Sequence, residues 1–156
     1  MVILAKTKPP FLFVETIKRG TTLRYMLKHQ HLIVRSEILT PPTENDLEEM
    51  NFWFKDLIQS IGMKILSGPH TVYCNMVGNR GYTGVCAIET SHIALHIWDE
   101  ASPATIQLDV YTCSDLQVSV VFDKMKRFNP VSIDYTFLDR DNEIKIIEKK
   151  LITLEK

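Results

Sequence analysis

Three short segments in the middle of the chain alternate apolar and polar side chains, and this alternation constrains the fold more than any other feature. The segments cover residues 82–90, 92–98 and 105–112. A period of two residues is typical of β-strands that bury one face. Short turn sequences, "GNRG" (78–81) and "ASPA" (101–104), precede the first and the third segment. The sequence therefore predicts neighbouring antiparallel strands.

The alternation assigns the side chains of these strands to two faces. One face is apolar and carries Ile93, Leu95, Ile97, Ile106, Leu108 and Val110. The other carries imidazole, indole, carboxylate, phenol and thiol groups, from His92, His96, Trp98, Asp109, Tyr111 and Cys113. We expect helices to cover the apolar face, and the polar face to be a solvated surface, a site or a subunit interface.

Two segments have helical spacing. Apolar residues recur every three or four positions through 44–61, after Pro41-Pro42, with Thr43 as the expected cap and Gly62 at the end. Residues 114–128 follow a similar pattern, which begins at Ser114-Asp115. Further strands are expected at 29–39 and, interrupted, at 63–77, with a closing hairpin that turns at "DRDN" (139–142). The predicted fold class is α+β, an antiparallel β-sheet with two helices packed on one face.

The length of 156 residues predicts a single domain, 1–156. We divide it into an N-terminal extension (1–27) with one candidate strand, a core (28–128) and a C-terminal hairpin or extension (129–156). The formal net charge of −1 implies no broad attraction to nucleic acid or to an anionic membrane.

The N-terminal residues do not resemble a signal peptide, because Lys6, Lys8 and Pro9-Pro10 interrupt the apolar stretch. No apolar run approaches the roughly 18 residues of a membrane span. The three cysteines, Cys74, Cys86 and Cys113, lack metal-type spacing and are interpreted as reduced thiols. A cytoplasmic protein is the resulting expectation.

The stretch "ETSHIALHIWDE" (89–100) concentrates the side chains that carry chemistry. A metal site at His92 and His96 is unfavourable, because on a strand these two residues lie roughly 13 Å apart. A hydrolytic triad is also unfavourable, because no glycine-flanked nucleophile elbow surrounds Ser91.

The pattern "GYTGVCAIETSHIALHIWDE" followed by "LDVYTCSD" resembles the prokaryotic S-adenosylmethionine decarboxylase proenzymes. That family has a G-x-S-G turn, an E-S-H-x-x-x-H-x-W-P-E core and a downstream D-x-[FY]-T-C segment. The resemblance covers roughly residues 28–128, and the joint occurrence of both motifs makes it fairly specific.

The resemblance implies a pyruvoyl enzyme that makes its cofactor from Ser91. The serine attacks the preceding carbonyl, and an N-to-O acyl shift gives an ester. β-Elimination then cleaves the chain between Thr90 and Ser91, and hydrolysis with loss of ammonia leaves the pyruvoyl group. The fragments are 1–90 and 91–156, and the second begins with the pyruvoyl group. Its ketone takes the substrate amine as a Schiff base and accepts the electrons released with CO2.

The resemblance also implies roles for individual residues. His96 and Thr83 would assist self-processing, and Cys113 would be the proton donor in decarboxylation. Trp98 and Glu100 would line the substrate site, with the carboxylate on ribose hydroxyls. The implied protein is a homodimer that acts on a small molecule and in which each site borrows residues from both subunits.

The sequence departs from the family pattern at several positions. Thr90 stands where the family has glutamate, and its β-branched side chain crowds the carbonyl that Ser91 must attack. Asp99 replaces a proline, and Thr83 replaces a serine while keeping the hydroxyl. The interval from Ser91 to Cys113 is 22 residues, about two more than the family pattern. The position where an aromatic ring would stack on adenine falls near Met76-Val77.

Three hypotheses remain from the sequence. The first is an S-adenosylmethionine decarboxylase that serves polyamine (spermidine) biosynthesis. The second is a self-processing decarboxylase of another amino acid, such as arginine or ornithine, motivated by the missing aromatic ring. The third is a binding or regulatory homologue that does not cleave, motivated by Thr90.

Overall fold

The computed structural model describes residues 28–89 and 91–154, so the N-terminal extension, Thr90 and the last two residues lie outside it. The described residues form seven β-strands and two α-helices, the second of which is followed by one 3-10 turn. In chain order these are β1 (Gln30–Ile38), α1 (Leu47–Ser60), β2 (Ile65–Cys74), β3 (Gly81–Ile88), β4 (Ser91–Trp98), β5 (Ala104–Thr112), α2 (Val118–Met125), the 3-10 turn (Lys126–Phe128), β6 (Pro130–Asp139) and β7 (Lys145–Thr153).

All seven strands belong to one antiparallel sheet in the order β2-β3-β4-β5-β1-β6-β7. Strands β2 to β5 form a meander, whereas β1 pairs with β5 on one side and β6 on the other. The predicted α+β class, with helices on one face of an antiparallel sheet, is confirmed.

The core lies between the sheet and the two helices. Helix α1 buries Met50, Trp53, Phe54, Leu57 and Ile58. The Trp53 indole N–H donates to the carbonyl of Lys124 at 2.9 Å, and the Lys124 ammonium pairs with Asp56 at 2.7 Å. The strands contribute the apolar residues that alternation had placed on this face, including Ile93, Leu95, Ile97, Ile106, Leu108 and Val110, each at most 2% exposed.

The predicted start of the first helix is wrong by three residues. Helix α1 begins at Leu47, and Thr43 does not cap it. The Asp46 carboxylate instead accepts the backbone N–H of Thr43 at 2.6 Å and its hydroxyl at 2.9 Å. These bonds close a tight turn before the helix, and they lower the pKa of Asp46.

The second helix also starts later than predicted, at Val118 instead of Ser114. Asp115 forms an ion pair with Lys28. The side-chain oxygen of Gln30 accepts the N–H of Leu116 at 2.6 Å. These contacts fix residues 114–117 against the start of β1, so the helix forms only beyond them.

The face of the sheet away from the helices is called the open face here. Cross-strand pairing arranges its side chains in rows. One row contains Ala87, His92, Tyr111, His31 and Leu138, and another contains Thr83, His96, Gln107, Arg35 and Asp134. Within the described residues, neither helix is both long and apolar enough to cross a bilayer.

Candidate active site

Ser91 is the first residue of β4, directly after the β3–β4 turn. Its cross-strand partner is Ile88, whose side chain is in the core, so the serine belongs to the helix side of the sheet. The Ser91 hydroxyl is half-buried and donates to the main-chain carbonyl of Tyr111. This bond ties the serine to the end of β5, two residues before Cys113.

Cys113 follows the end of β5 and is half-buried. Its Sγ lies 3.6 Å from Nδ1 of His29, which precedes β1. The same Nδ1 lies 2.9 Å from the Tyr111 hydroxyl. The predicted proton donor therefore stands beside an imidazole, at the end of the sheet that also holds Ser91.

Tyr111 is the centre of a polar cluster on the open face. The Arg140 guanidinium lies over its ring at 4.4 Å, and the rings of His31 and His92 lie 5.5 and 5.6 Å away. Arg140 also donates to Nδ1 of His31 at 3.2 Å, and Nε2 of His31 lies 3.3 Å from Asp109. Because Arg140 can only donate, Nδ1 of His31 accepts and its Nε2–H donates to the carboxylate.

The predicted processing pair is formed in the middle of the open face. Thr83 Oγ1 lies 3.2 Å from Nδ1 of His96, its direct cross-strand partner. The His96 ring also packs on Trp98, with 5.7 Å between ring centroids. A pocket of about 280 Å³ opens beside the pair, and its lining includes Asn79, Thr83, His96 and Trp98.

Three consecutive residues after His96 and Ile97 bind the turn between β2 and β3. The Trp98 indole N–H donates to Asn79 at 2.9 Å, Arg80 donates from Nε to Asp99 at 2.6 Å, and the Gly78 N–H donates to Glu100 at 2.8 Å. We call this arrangement the turn clamp. Both predicted substrate residues, Trp98 and Glu100, are part of it. Trp98 lines the pocket together with Asn79 of the turn, whereas Glu100 is not one of the lining residues.

The structure brings Thr83, His96 and Trp98 together, and it places Ser91 near the β5 end that leads to Cys113. Within one chain, the cluster of Thr83, His96 and Trp98 lies apart from the end of the sheet that holds Ser91 and Cys113. His96 is five residues beyond Ser91 on the same strand, about 16 Å along it, and points to the opposite face. Thr90 lies outside the described residues.

Sequence reasoning missed His29, Asn79 and Arg80. The pairing of β1 with β5 brings His29 to Cys113 across 84 residues, and no local pattern signals such a contact. Asp99 offered a clue to Arg80. The family pattern has a proline at this position, and a carboxylate that takes its place next to Trp98 is favoured by a basic partner. That partner is Arg80 of the adjacent turn.

Comparison with known proteins identifies the family. The model of the S-adenosylmethionine decarboxylase family matches residues 30–141, well over half of the chain. An S-adenosylmethionine decarboxylase proenzyme of Archaeoglobus fulgidus is 36% identical over 63 residues. That alignment covers 39% of this chain and 54%, about half, of the relative's length.

The fold has a counterpart among solved structures. The adenosylmethionine decarboxylase of Aquifex aeolicus superposes with a TM-score of 0.58 at 21% identity, over 80% of this chain and 98% of that one. At 21% identity the superposition shows only that the two folds are similar. The relationship in sequence is shown by the family model. The chain therefore belongs to the S-adenosylmethionine decarboxylase family.

Proposed function

We propose that this chain is a pyruvoyl-dependent decarboxylase that cleaves itself between Thr90 and Ser91 and acts on S-adenosylmethionine for polyamine biosynthesis. One observation carries the proposal. The fold places the Ser91 hydroxyl on the carbonyl of Tyr111, two residues before Cys113. This contact supports a site that combines Ser91, as the precursor of the electrophile, with Cys113, as the proton donor, at one end of the sheet.

Self-processing begins at the Ser91 hydroxyl. A bond forms between Oγ and the carbonyl carbon of residue 90, the C–N bond to the Ser91 nitrogen breaks, and that nitrogen gains a proton. The hydroxyl proton needs an acceptor stronger than the Tyr111 carbonyl that it now faces. An imidazole assisted by a hydroxyl, such as the pair of His96 and Thr83, suits that step.

This acceptor must come from a second copy of the chain, because His96 lies far along β4 on the opposite face. A homodimer in which each site combines Ser91 of one copy with His96 of the other meets this requirement. The open face, which carries His96, offers a second copy an apolar contact surface, since it holds large apolar side chains that are 40–69% exposed, Ile33, Val72, Val85, Ile146 and Leu151.

Decarboxylation uses the product of this cleavage together with Cys113, Trp98 and Glu100. The pyruvoyl group made from Ser91 supplies a carbonyl that binds the substrate amine and draws electrons from the breaking bond to CO2. Cys113 gives its thiol proton to the substrate carbon that has lost the carboxylate. Trp98 offers a flat apolar surface at the pocket, and Glu100 offers ribose hydroxyls an acceptor when it exchanges its bond to Gly78.

A second substrate class has one observation in its favour. The tip of the β2–β3 turn carries Met76 and Val77, which are 64% and 96% exposed. Neither has a ring that could stack on adenine. A smaller amine such as arginine or ornithine would not need that ring.

Release of CO2 from carboxyl-labelled S-adenosylmethionine, arginine and ornithine tests the function. We expect the wild-type chain to decarboxylate S-adenosylmethionine, Ser91→Ala to have no turnover, and Cys74→Ser to match the wild type. Turnover of only arginine or ornithine would replace the substrate assignment, and turnover by Ser91→Ala would refute the pyruvoyl mechanism.

A further inference from the structure

A single imidazole nitrogen, Nδ1 of His29, faces two partners. It lies 3.6 Å from the Cys113 thiol and 2.9 Å from the Tyr111 hydroxyl. One nitrogen has either one lone pair or one hydrogen at this position, so it engages one partner at a time. The protonation of Cys113 and the hydrogen bond of Tyr111 are therefore linked through His29.

Tyr111 is held so that its hydroxyl stays at His29. Arg140 covers the ring at 4.4 Å, and the rings of His31 and His92 pack on it. The charged and titratable groups near His29 include Arg140, whose main-chain N–H donates to the His29 carbonyl at 2.7 Å, the ion pair of Lys28 and Asp115, and the hydrogen-bonded His31 and Asp109. Lys28 and Asp115 offset one another, and Arg140 and Asp109 place opposite charges on the two sides of the His31 ring.

The other two cysteines have different surroundings. The buried Cys86 thiol lies 3.3 Å from the carbonyl of Ser67, and burial raises its pKa. Cys74 is half-buried at the end of β2, on the side of the sheet remote from β1. The alkylation of Cys113 can therefore be compared with that of another cysteine in the same chain.

We propose that His29 is a positioning residue that orients the Cys113 thiol and restores its proton after each turnover. This role rests on the proposed function of Cys113. Cys113 loses the proton of Sγ to the product carbon and becomes a thiolate. His29, protonated, transfers the hydrogen of Nδ1 to that thiolate and becomes neutral, and solvent returns a proton to the half-exposed imidazole. Tyr111 binds the unprotonated Nδ1 in the interval.

Thiol alkylation tests the pairing without reference to catalysis. Every sample carries Ser91→Ala, so that all chains remain in one uncleaved state. Iodoacetamide modifies the protein near pH 7, and peptide mass spectrometry follows Cys113 and Cys74 separately. The variants are His29→Asn, Tyr111→Phe and, as the matched control, His92→Asn, which also removes a ring contact to Tyr111.

We expect His29→Asn to slow alkylation of Cys113 about tenfold, because an imidazole that accepts the thiol proton promotes the reactive thiolate. Tyr111→Phe frees Nδ1 for the thiol and should accelerate alkylation, and His92→Asn should stay within about twofold of its parent. Cys74 should react alike in all samples. Equal rates in the His29 and His92 variants, or slowing by Tyr111→Phe, would overturn the proposal.

Turnover supplies the second readout. In a chain with intact Ser91, His29→Asn should lower kcat about tenfold with little change in KM. Unaltered kcat with slowed alkylation would refute the proton-supply role. If the wild type has no decarboxylase activity, the proposed function fails while the alkylation rates still decide the pairing.

Discussion

His31 shows how one residue on the open face responds to its neighbours. Burial lowers the pKa of its imidazole below 6.5, and Arg140 and His92 act in the same direction. Asp109 opposes them through a hydrogen bond and its charge. The Arg140 guanidinium donates to Nδ1, so protonation of His31 would break that bond and place two cations together.

The lowered pKa of His31 predicts a loss of stability in mild acid. As the pH falls below about 6.5, the unfolded chain binds a proton that the folded chain does not, so the free energy of unfolding decreases. We expect the free energy of unfolding to fall between pH 7.5 and 5.5, measured by urea unfolding at constant protein concentration. His31→Gln should reduce this dependence, with the exposed His70→Gln as control. An identical dependence in all three proteins would contradict the assignment.

Two glycines with positive φ, one in the β2–β3 turn and one at the start of β3, allow the same substitution to be compared with and without a steric clash. Gly81 has φ +141°, and a Cβ there would lie 1.8 Å from the carbonyl oxygen of Ile97. Gly78 has φ +82°, but a Cβ there meets nothing within 4 Å. Gly81→Ala should therefore cost about 3 kcal/mol or more, and Gly78→Ala about 1–2 kcal/mol from backbone strain alone. Equal costs in chemical denaturation would show that the contact with β4 does not matter.

At the scale of elements, the turn clamp joins the β2–β3 turn to the end of β4. Asp99 accepts hydrogen bonds from Arg80 at 2.6 Å and from the Tyr73 hydroxyl at 2.6 Å. The hydrogen bond to the Asp99 carboxylate raises the pKa of Tyr73 to about 12. The same carboxylate raises the pKa of Arg80. This carboxylate replaces the proline of the family pattern and stabilises the pocket wall by charge.

Loss of the Asp99 charge should loosen the turn. We expect Asp99→Asn to lower the free energy of unfolding by about 1–2 kcal/mol and to increase acrylamide quenching of Trp98, because Asn79 then holds the indole less firmly. A Trp98→Phe background should abolish the change in quenching, since Trp53 lies in the core. Glu143→Gln, which removes an exposed carboxylate of the β6–β7 turn, is the control. Quenching that matches this control would refute the clamp.

The alternation of Ile93, Leu95 and Ile97 was enough to predict the sheet face and the helix layer that covers it. The helix starts were not predictable to the residue, because Asp46 and Asp115 bind groups outside their helices. The contact between His29 and Cys113 depends on the insertion of β1 between β5 and β6. The sequence motif suggested that Ser91 and His96 act together, but strand alternation places them on opposite faces.

At the scale of the whole molecule, the separation of Ser91 and His96 predicts complementation between chains. Ser91→Ala removes the nucleophile and His96→Asn removes the assisting imidazole, so each variant alone should stay uncleaved. In mixed dimers from co-expression, the His96→Asn chain should be cut by the imidazole of the Ser91→Ala chain. The His96→Asn chain carries a tag that identifies its fragments. We expect only this chain to be cleaved, in up to about half of its molecules. No cleavage in the mixture would contradict action between two copies.

The central claim is that this chain breaks its own peptide bond at Ser91. Intact-mass measurement of the purified wild-type protein, next to Ser91→Ala, tests it most directly. We expect fragments 1–90 and 91–156 from the wild type, the second with a pyruvoyl end that borohydride reduces, and a single intact chain from Ser91→Ala. A wild-type chain that keeps its full-length mass after long incubation would contradict it.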